Sequence, residues 1–199
     1  SRGLGDVYKR QVNNYLDACQ LDSGTRRADN DNGVLASGKN YTDMEHKWDE
    51  GFGYLYGQEA DATRADLGTS PTGNGTTLNK YFKKINDSNE PGLASTVYDA
   101  FKLGRAAIVA GNYDVRDAQA AIIKVNLSKV VGYKAVDYLE SYMSKKAATP
   151  ADAVHALSEG YGFILSLMFT NDGTGSPYFS EAEVNSMLSK LSNLSLIHI

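Results

Sequence analysis

HKWDEGFGYL, from His46 to Leu55, recurs later in the chain as HALSEGYGFI, from His155 to Ile164. His, Glu, Gly, an aromatic residue, Gly, a second aromatic residue and an aliphatic residue follow one another in the same order in both stretches. Each stretch is followed by a polar loop that is rich in Gly, Ser and Thr and contains one Pro. Repetition of this kind predicts an internally duplicated chain.

Apolar residues recur with helical spacing along almost the whole sequence, and no convincing alternating strand pattern is found. Thr42 and Glu45 form a capping box that predicts a helix to about Gly57, and Pro150 after Thr149 predicts one to about Thr170. We therefore predict an all-α fold, an internally duplicated helical bundle. Further helices are expected through Val12, Tyr15, Leu16 and Cys19, over 78–85, from Pro91, from Val115 to Met143 with a bend at Lys129 and Gly132, and from Ser180 with Glu183.

Composition excludes several classes of protein. The net charge of −4 gives no footprint for binding nucleic acid or an anionic membrane surface. No apolar run is long enough to span a bilayer. Cys19 is the only cysteine, so the chain has neither a disulfide framework nor a thiolate metal cluster.

Both ends of the chain resemble translated sequencing adapter. DVYKRQ, from Asp6 to Gln11, and LSLIHI, from Leu194 to Ile199, are what one transposase adapter encodes when it is read once in each direction. We therefore predict that residues 1–11 and 194–199 are adapter-derived. Residues 12–193 are expected to be a metagenomic fragment of one duplicated helical domain, with repeat motifs at 46–55 and 155–164.

The two motifs supply the candidate site. His46 and Glu50 are four residues apart, as are His155 and Glu159, so each pair lies on one helix face, one turn apart. The same faces continue into small residues, which predicts that another backbone approaches there. Apolar residues on the remaining faces predict that both pairs are buried or nearly so. The small residues are Gly53, Gly57, Gly162 and Ser166.

Two interpretations of these four side chains remain open. If pseudo-symmetry brings the two helices together, two imidazoles and two carboxylates converge, a ligand set suited to zinc, iron or manganese. Alternatively, each His hydrogen-bonds a Glu of the other copy and pins the bundle without metal, because buried polar groups need partners.

Arg105 and Asp49 are candidates for a supporting role. Arg105 is a possible counter-charge to a buried Glu50 or Glu159, or its guanidinium reaches water instead. Asp49 is a candidate partner for a metal-binding histidine, although neighbouring residues do not share a helix face.

Three segments together resemble a known family. They are YTDMEHKWDEGFGYLYG at 41–57, AFKLGRAAI at 100–108 and AVHALSEGYGFILSL at 153–167. They resemble an uncharacterised family of Bacteroidota cell-envelope proteins, filed as domain of unknown function 4856, which is distantly similar to imelysin-like proteins. The imelysin motif GxHxxE places Glu three residues after His. Here Glu follows His by four, and Met44 and Ala153 stand at the glycine position.

The resemblance implies an imelysin-like binding or uptake component of the cell envelope, for iron or another metal. It implies a periplasmic protein or a lipoprotein anchored at the outer membrane, with a divalent metal (iron or zinc), a small ligand or an envelope protein as partner. One alternative is a zinc metallopeptidase in which His46, Glu50 and His155 bind zinc and Glu159 activates water, although HExxH is absent. The other is a structural or interaction module without metal.

Overall fold

The computed structural model describes residues 13–57 and 79–196, and every regular element within these ranges is a helix. The predicted all-α fold class is therefore confirmed. Short helical segments at Asn13–Tyr15, Ala18–Leu21 and Arg26–Asp31 precede the longer helices. A 3-10 turn at Leu167–Phe169 directly follows the longer helix that ends at Ser166. The longer helices are α1 (Asp43–Tyr56), α2 (Asn79–Ser88), α3 (Leu93–Val109), α4 (Tyr113–Lys145), α5 (Pro150–Ser166) and α6 (Glu181–Leu196).

Helix α4, with 33 residues, is the central element of the bundle. It packs against α3 and α5 and also contacts α2, while α1 packs against α3 and α6 against α5. Residues 110–112 connect α3 to α4, and residues 146–149 connect α4 to α5; such short connections place successive helices side by side and antiparallel. Ile123, Leu127 and Val130 of α4 are completely buried, so the core surrounds this helix.

Three of the predicted helix starts, at Thr42, Pro150 and Ser180, are confirmed. Thr42 Oγ1 accepts a hydrogen bond from the Glu45 backbone N–H at 3.3 Å, and Glu45 Oε2 accepts one from the Thr42 N–H at 2.7 Å. Ser180 and Glu183 make the same pair of contacts at the start of α6. Pro150 occupies the first turn of α5. Each arrangement satisfies, or in the case of proline removes, a backbone donor that the helix leaves unpaired.

The prediction of one continuous helix through Tyr15, Leu16 and Cys19 is wrong. Asp17 interrupts it, because its side chain accepts a hydrogen bond from the Cys19 N–H at 2.9 Å and caps a new helical segment. Leu16 is buried whereas Cys19 is exposed, so the predicted stripe is divided. Val12 of the same prediction lies outside the described residues.

One further expectation is corrected within the bundle. Helix α3 begins at Leu93 rather than at Pro91, because Gly92 adopts a left-handed conformation with φ 92°. Helix α4 is continuous across Lys129 and Gly132, and the bend expected there stays a prediction. The last helix extends to Leu196, into the stretch predicted to be adapter-derived. Among the described residues, no helix has both the length and the apolar character that a membrane crossing requires.

Arg116 places a completely buried charge between α4 and the chain before α1. Its Nη1 and Nη2 donate to the two carboxylate oxygens of Asp22 at 2.7 and 3.1 Å, and its Nε donates to Asp117 Oδ1 at 2.8 Å. The hydrogen bond from Arg116 holds the pKa of Asp22 below its ordinary value. A buried charge is tolerated only when it is paired, so this contact fixes the segment around Asp22 against α4.

Candidate functional site

The first repeat motif lies on α1 and separates into a buried and a solvent-facing side. Trp48 and Leu55 are buried, but the His46 side chain is 45% exposed and that of Glu50 is 28% exposed. His46 Nε2 lies 3.2 Å from Glu50 Oε1, and Lys47 Nζ lies 2.7 Å from Glu50 Oε2. The burial predicted for His46 is therefore wrong, because Trp48 and Leu55 direct the opposite face of α1 into the core, whereas Glu50 is partly buried.

The second repeat motif lies on α5 and has a similar pattern. Leu157 and Ile164 are buried, Glu159 is half-buried and His155 is exposed, so the burial predicted for His155 is also wrong. Across residues 13–57 and 79–196, no group of three or more His, Cys, Asp or Glu side chains is arranged to hold a metal ion. The structure brings His46 to Glu50 but does not assemble the four predicted ligands, and metal binding stays a prediction.

Arg105 links α3 to α1 through two carboxylates. Its Nη1 lies 2.8 Å from Glu45 Oε1 and its Nε lies 3.0 Å from Asp49 Oδ1. Arg105 is thus the counter-charge of Glu45 and Asp49, and not of Glu50 or Glu159 as expected. Partial burial raises the pKa of the Asp49 carboxyl, although the neighbouring guanidinium opposes this effect. Asp49 accepts its hydrogen bond from Arg105 of α3, whereas His46 lies on α1, the same helix as Asp49.

Close packing occurs at the first glycine of each motif, and in the first motif it does not extend to the second glycine. A Cβ added to Gly51 would lie 3.0 Å from Leu16 Cδ2, and one added to Gly160 would lie 3.3 Å from Tyr138 Cβ. A Cβ added to Gly53 would meet no heavy atom within 4 Å. The expectation for the face that begins at His46 is therefore wrong at Gly53, because that face of α1 is turned toward solvent.

A tyrosine pair flanks the glutamate of the first motif. The rings of Tyr15 and Tyr54 stack with their centroids 5.2 Å apart, and Lys47 Nζ lies 5.2 Å from the centre of the Tyr15 ring. A hydrogen bond with Tyr54, burial and the charge of Glu50 together raise the pKa of Tyr15.

A second tyrosine pair flanks the glutamate of the second motif. Burial, a hydrogen bond with Tyr81 and the charge of Glu159 raise the pKa of Tyr138. Lys134 Nζ lies 4.5 Å from the centre of the Tyr138 ring and 5.5 Å from that of Tyr81, and it contacts Asp137 Oδ2 at 2.9 Å. The two motifs therefore have similar surroundings: a packed glycine, a partly buried glutamate, two tyrosines and a lysine. The tyrosine pairs were missed in the sequence because they bring together residues that are distant along the chain.

A groove between α4, α5 and α6 is a prominent concave feature within the described part of the chain. Its volume is about 690 Å³. The walls include Val136 and Leu139 of α4, Ile164 of α5, and Met187 and Leu191 of α6. Leu194, in the stretch predicted to be adapter-derived, also contributes to the lining. Such a volume lies within the roughly 300–1,000 Å³ typical of small-molecule sites.

Four polar side chains line this groove, and three of them form one cluster. Glu90 accepts hydrogen bonds at both carboxylate oxygens, from Lys129 Nζ at 3.1 Å and from the Tyr133 hydroxyl at 3.0 Å. These two contacts lower the pKa of Glu90, and the carboxylate in turn raises that of Tyr133. Lys190 of α6 is the fourth polar residue and is exposed. No described carboxylate forms an ion pair with it.

Two of the residues that line this groove already stand out in the sequence. Lys129 and Gly132 interrupt the apolar stripe of α4, which predicted a bend. In the structure the helix is continuous at these positions, and both residues line the groove. A Cβ added to Gly132 would meet no heavy atom within 4 Å, so this glycine leaves open space. An interrupted stripe on a long helix therefore indicated a concave surface.

A comparison with known protein families gives a match. Residues 4–195 match the family described as Domain of unknown function (DUF4856). The match covers both repeat motifs and every described helix, apart from the last residue of α6. Neither a curated protein nor a solved structure matches the chain. By the extent of the match, this chain belongs to the DUF4856 family.

Proposed function

We propose that this protein is a non-enzymatic binding module whose ligand lies in the groove between α4, α5 and α6. The observation that carries the proposal is the groove itself, a concavity of about 690 Å³ with apolar walls contributed by three helices. Its polar side chains are few and belong to two places, the cluster around Glu90 and the exposed Lys190. Apolar pockets with a few polar groups are the usual form of small-molecule sites.

The groove leaves apolar side chains in contact with water. Val136 is 53% exposed, and Met187 is only partly buried. A ligand that covers such surface is stabilised by about 25 cal/mol for each Å² of apolar area removed from water. The open space beside Gly132 adds room for a ligand without displacing any side chain. The free energy of binding would therefore come mainly from apolar burial.

The test uses Nile red, an uncharged apolar dye whose fluorescence rises on leaving water. We expect saturable binding of one dye per chain. Gly132→Phe should abolish binding, because the new ring projects into the groove. Gly53→Phe is the matched control, since Gly53 also has open space around its Cα but lies on α1. Equal dye binding by wild type and a folded Gly132→Phe protein would contradict the proposal.

Metal capture at the first motif is a second candidate function, favoured by the 3.2 Å contact between His46 Nε2 and Glu50 Oε1. A neutral imidazole and a carboxylate one helical turn apart are suitable ligands for zinc, iron or manganese. The test is the melting temperature with and without each metal, for wild type, His46→Ala and Glu50→Gln. Stabilisation of wild type that both variants lose would support metal binding through mass action. A shift that survives in both variants would contradict it.

The biological setting is also proposed and not observed. A role in uptake and a location in the cell envelope rest on the resemblance to imelysin-like proteins. A metallopeptidase would require His155 and Glu159 to join His46 and Glu50 around one zinc ion. Peptidase activity that depends on all four residues would favour the enzyme over the binding module.

A further inference from the structure

We infer that the groove ligand is a single-chain amphiphile with one anionic head group, held by its hydrocarbon chain against the apolar walls and by its head group at Lys190. This inference rests on the proposed binding function of the groove. It adds the chemical class of the ligand, which follows from the charges and dimensions of the groove.

The charge of the groove is the first step. Glu90 and Lys129 are in contact, and the second oxygen of Glu90 is occupied by the Tyr133 hydroxyl. The charges of Glu90 and Lys129 therefore compensate each other within the protein. Lys190 has no such partner among the described carboxylates and adds one positive charge to an otherwise apolar wall. A ligand that complements the groove therefore carries a negative charge.

The dimensions of the groove are the second step. Its lining residues on α4 run from Lys129 to Leu139, which spans about 15 Å at the rise of an α-helix. The facing residues on α6 include Met187 and Leu191, with Lys190 directly beside Leu191. An extended alkyl chain of medium length fits along such a wall, with its head group beside Lys190 at the rim.

The chemistry of lysine is the third step. An ammonium group carries three donors on a flexible stem, so it can follow a carboxylate at an open rim without fixed bidentate geometry. Because Lys190 is exposed, its contribution is that of a solvent-accessible ion pair, up to about fivefold in affinity. Apolar burial thus gives most of the affinity, and Lys190 selects the charge of the head group.

The experiment compares three ligands with the same hydrocarbon chain: laurate, lauryl alcohol and laurylamine. Laurate and laurylamine are titrated below their critical micelle concentrations, and lauryl alcohol below its solubility limit, against Nile red bound to the full chain. We expect laurate to displace the dye at about fivefold lower concentration than lauryl alcohol, and laurylamine to be the weakest. Lys190→Glu should reverse the order of laurate and laurylamine. Lys145→Glu, a charge reversal at an exposed position outside the groove, should leave the order unchanged.

The outcomes separate this inference from the function on which it rests. If the three ligands displace the dye equally, and Gly132→Phe abolishes their binding, the groove is a binding site and the anionic ligand class is overturned. If Nile red does not bind at all, the proposed function fails first. Binding to anionic phospholipid vesicles without displacement by free laurate would show a membrane surface as the partner and would also overturn the inference. Retained preference for laurate in Lys190→Glu would overturn the role of that side chain.

Discussion

Replacing Gly104 by alanine tests the packing of α1 against α3. A Cβ at this position would lie 2.1 Å from Trp48 Cζ2 and 2.4 Å from Trp48 Cη2. The indole is buried, and its Nε1 donates a hydrogen bond to the Phe101 carbonyl at 2.9 Å. Its ring also meets the Phe101 ring edge-on at a centroid distance of 5.9 Å. The indole therefore cannot move away from Gly104 without disturbing its hydrogen bond and its ring contact with Phe101.

The magnitude follows from the displacement that alanine requires. Moving the indole from 2.1 Å to an ordinary contact of 3.4 Å shifts it by 1.3 Å, which breaks the hydrogen bond to Phe101. Overpacking of a core costs about 1–3 kcal/mol, and a buried donor without its acceptor costs about 1–3 kcal/mol. Alanine regains about 1 kcal/mol through its helix propensity. We therefore expect a loss of about 3 kcal/mol and a fall in melting temperature of roughly 6–12 °C.

The assay is urea unfolding followed by circular dichroism and by intrinsic fluorescence. Trp48 is the only tryptophan of the chain, so its emission reports directly on this contact. Gly53→Ala is the matched control, because its new methyl group meets no heavy atom within 4 Å. That variant should gain about 0.5–1 kcal/mol, the usual advantage of alanine over glycine in a helix.

A double-mutant cycle isolates the proposed clash. In a Trp48→Phe background the smaller ring leaves space for the methyl group, so Gly104→Ala should cost less than about 1 kcal/mol there. A Gly104→Ala protein as stable as wild type, with unchanged tryptophan emission, would refute the reasoning. An equal loss in both backgrounds would show that the cost arises elsewhere on α3.

Three other outcomes are expected. Asp22→Asn should cost about 2 kcal/mol at neutral pH, because buried Arg116 loses one of its two carboxylate partners and keeps only Asp117; a loss below about 0.5 kcal/mol, measured by urea unfolding, would contradict this. Folding lowers the pKa of Asp22. The stabilisation from its carboxylate is therefore present above the unfolded pKa of about 3.9 and is lost as pH falls through the folded pKa. The free energy of unfolding of Asp22→Asn should consequently depend less on pH in this acid range than that of wild type. Thr42→Ala should lower stability by about 2 kcal/mol and Ser180→Ala by about 1 kcal/mol, because Thr42 also donates to Asn30 from a buried position; equal thermal shifts would remove that distinction.

Helix starts were predictable because they depend on contacts within a few residues. Thr42 and Glu45, like Ser180 and Glu183, are three positions apart, and their hydrogen bonds close within one turn. The predicted first helix failed for a related local reason, since the Asp17 side chain competes for the backbone of the next turn. Lys129 and Gly132 interrupt the apolar stripe of α4 without ending the helix, because an apolar stripe reflects what the helix faces.

The order of amino acids thus specified the all-α class, the capping of the helices and the similarity of the two motifs, since these depend on periodicity and on neighbours along the chain. Which side of each motif enters the core depended on the assembled bundle. The Trp48 ring packs directly over Gly104, 56 positions away, and the absence of a side chain at Gly160 lets Tyr138 approach closely. With α1 packed in this way, the His46 side chain faces solvent. Contacts of this kind join residues far apart in sequence, and local patterns do not encode which of them will meet.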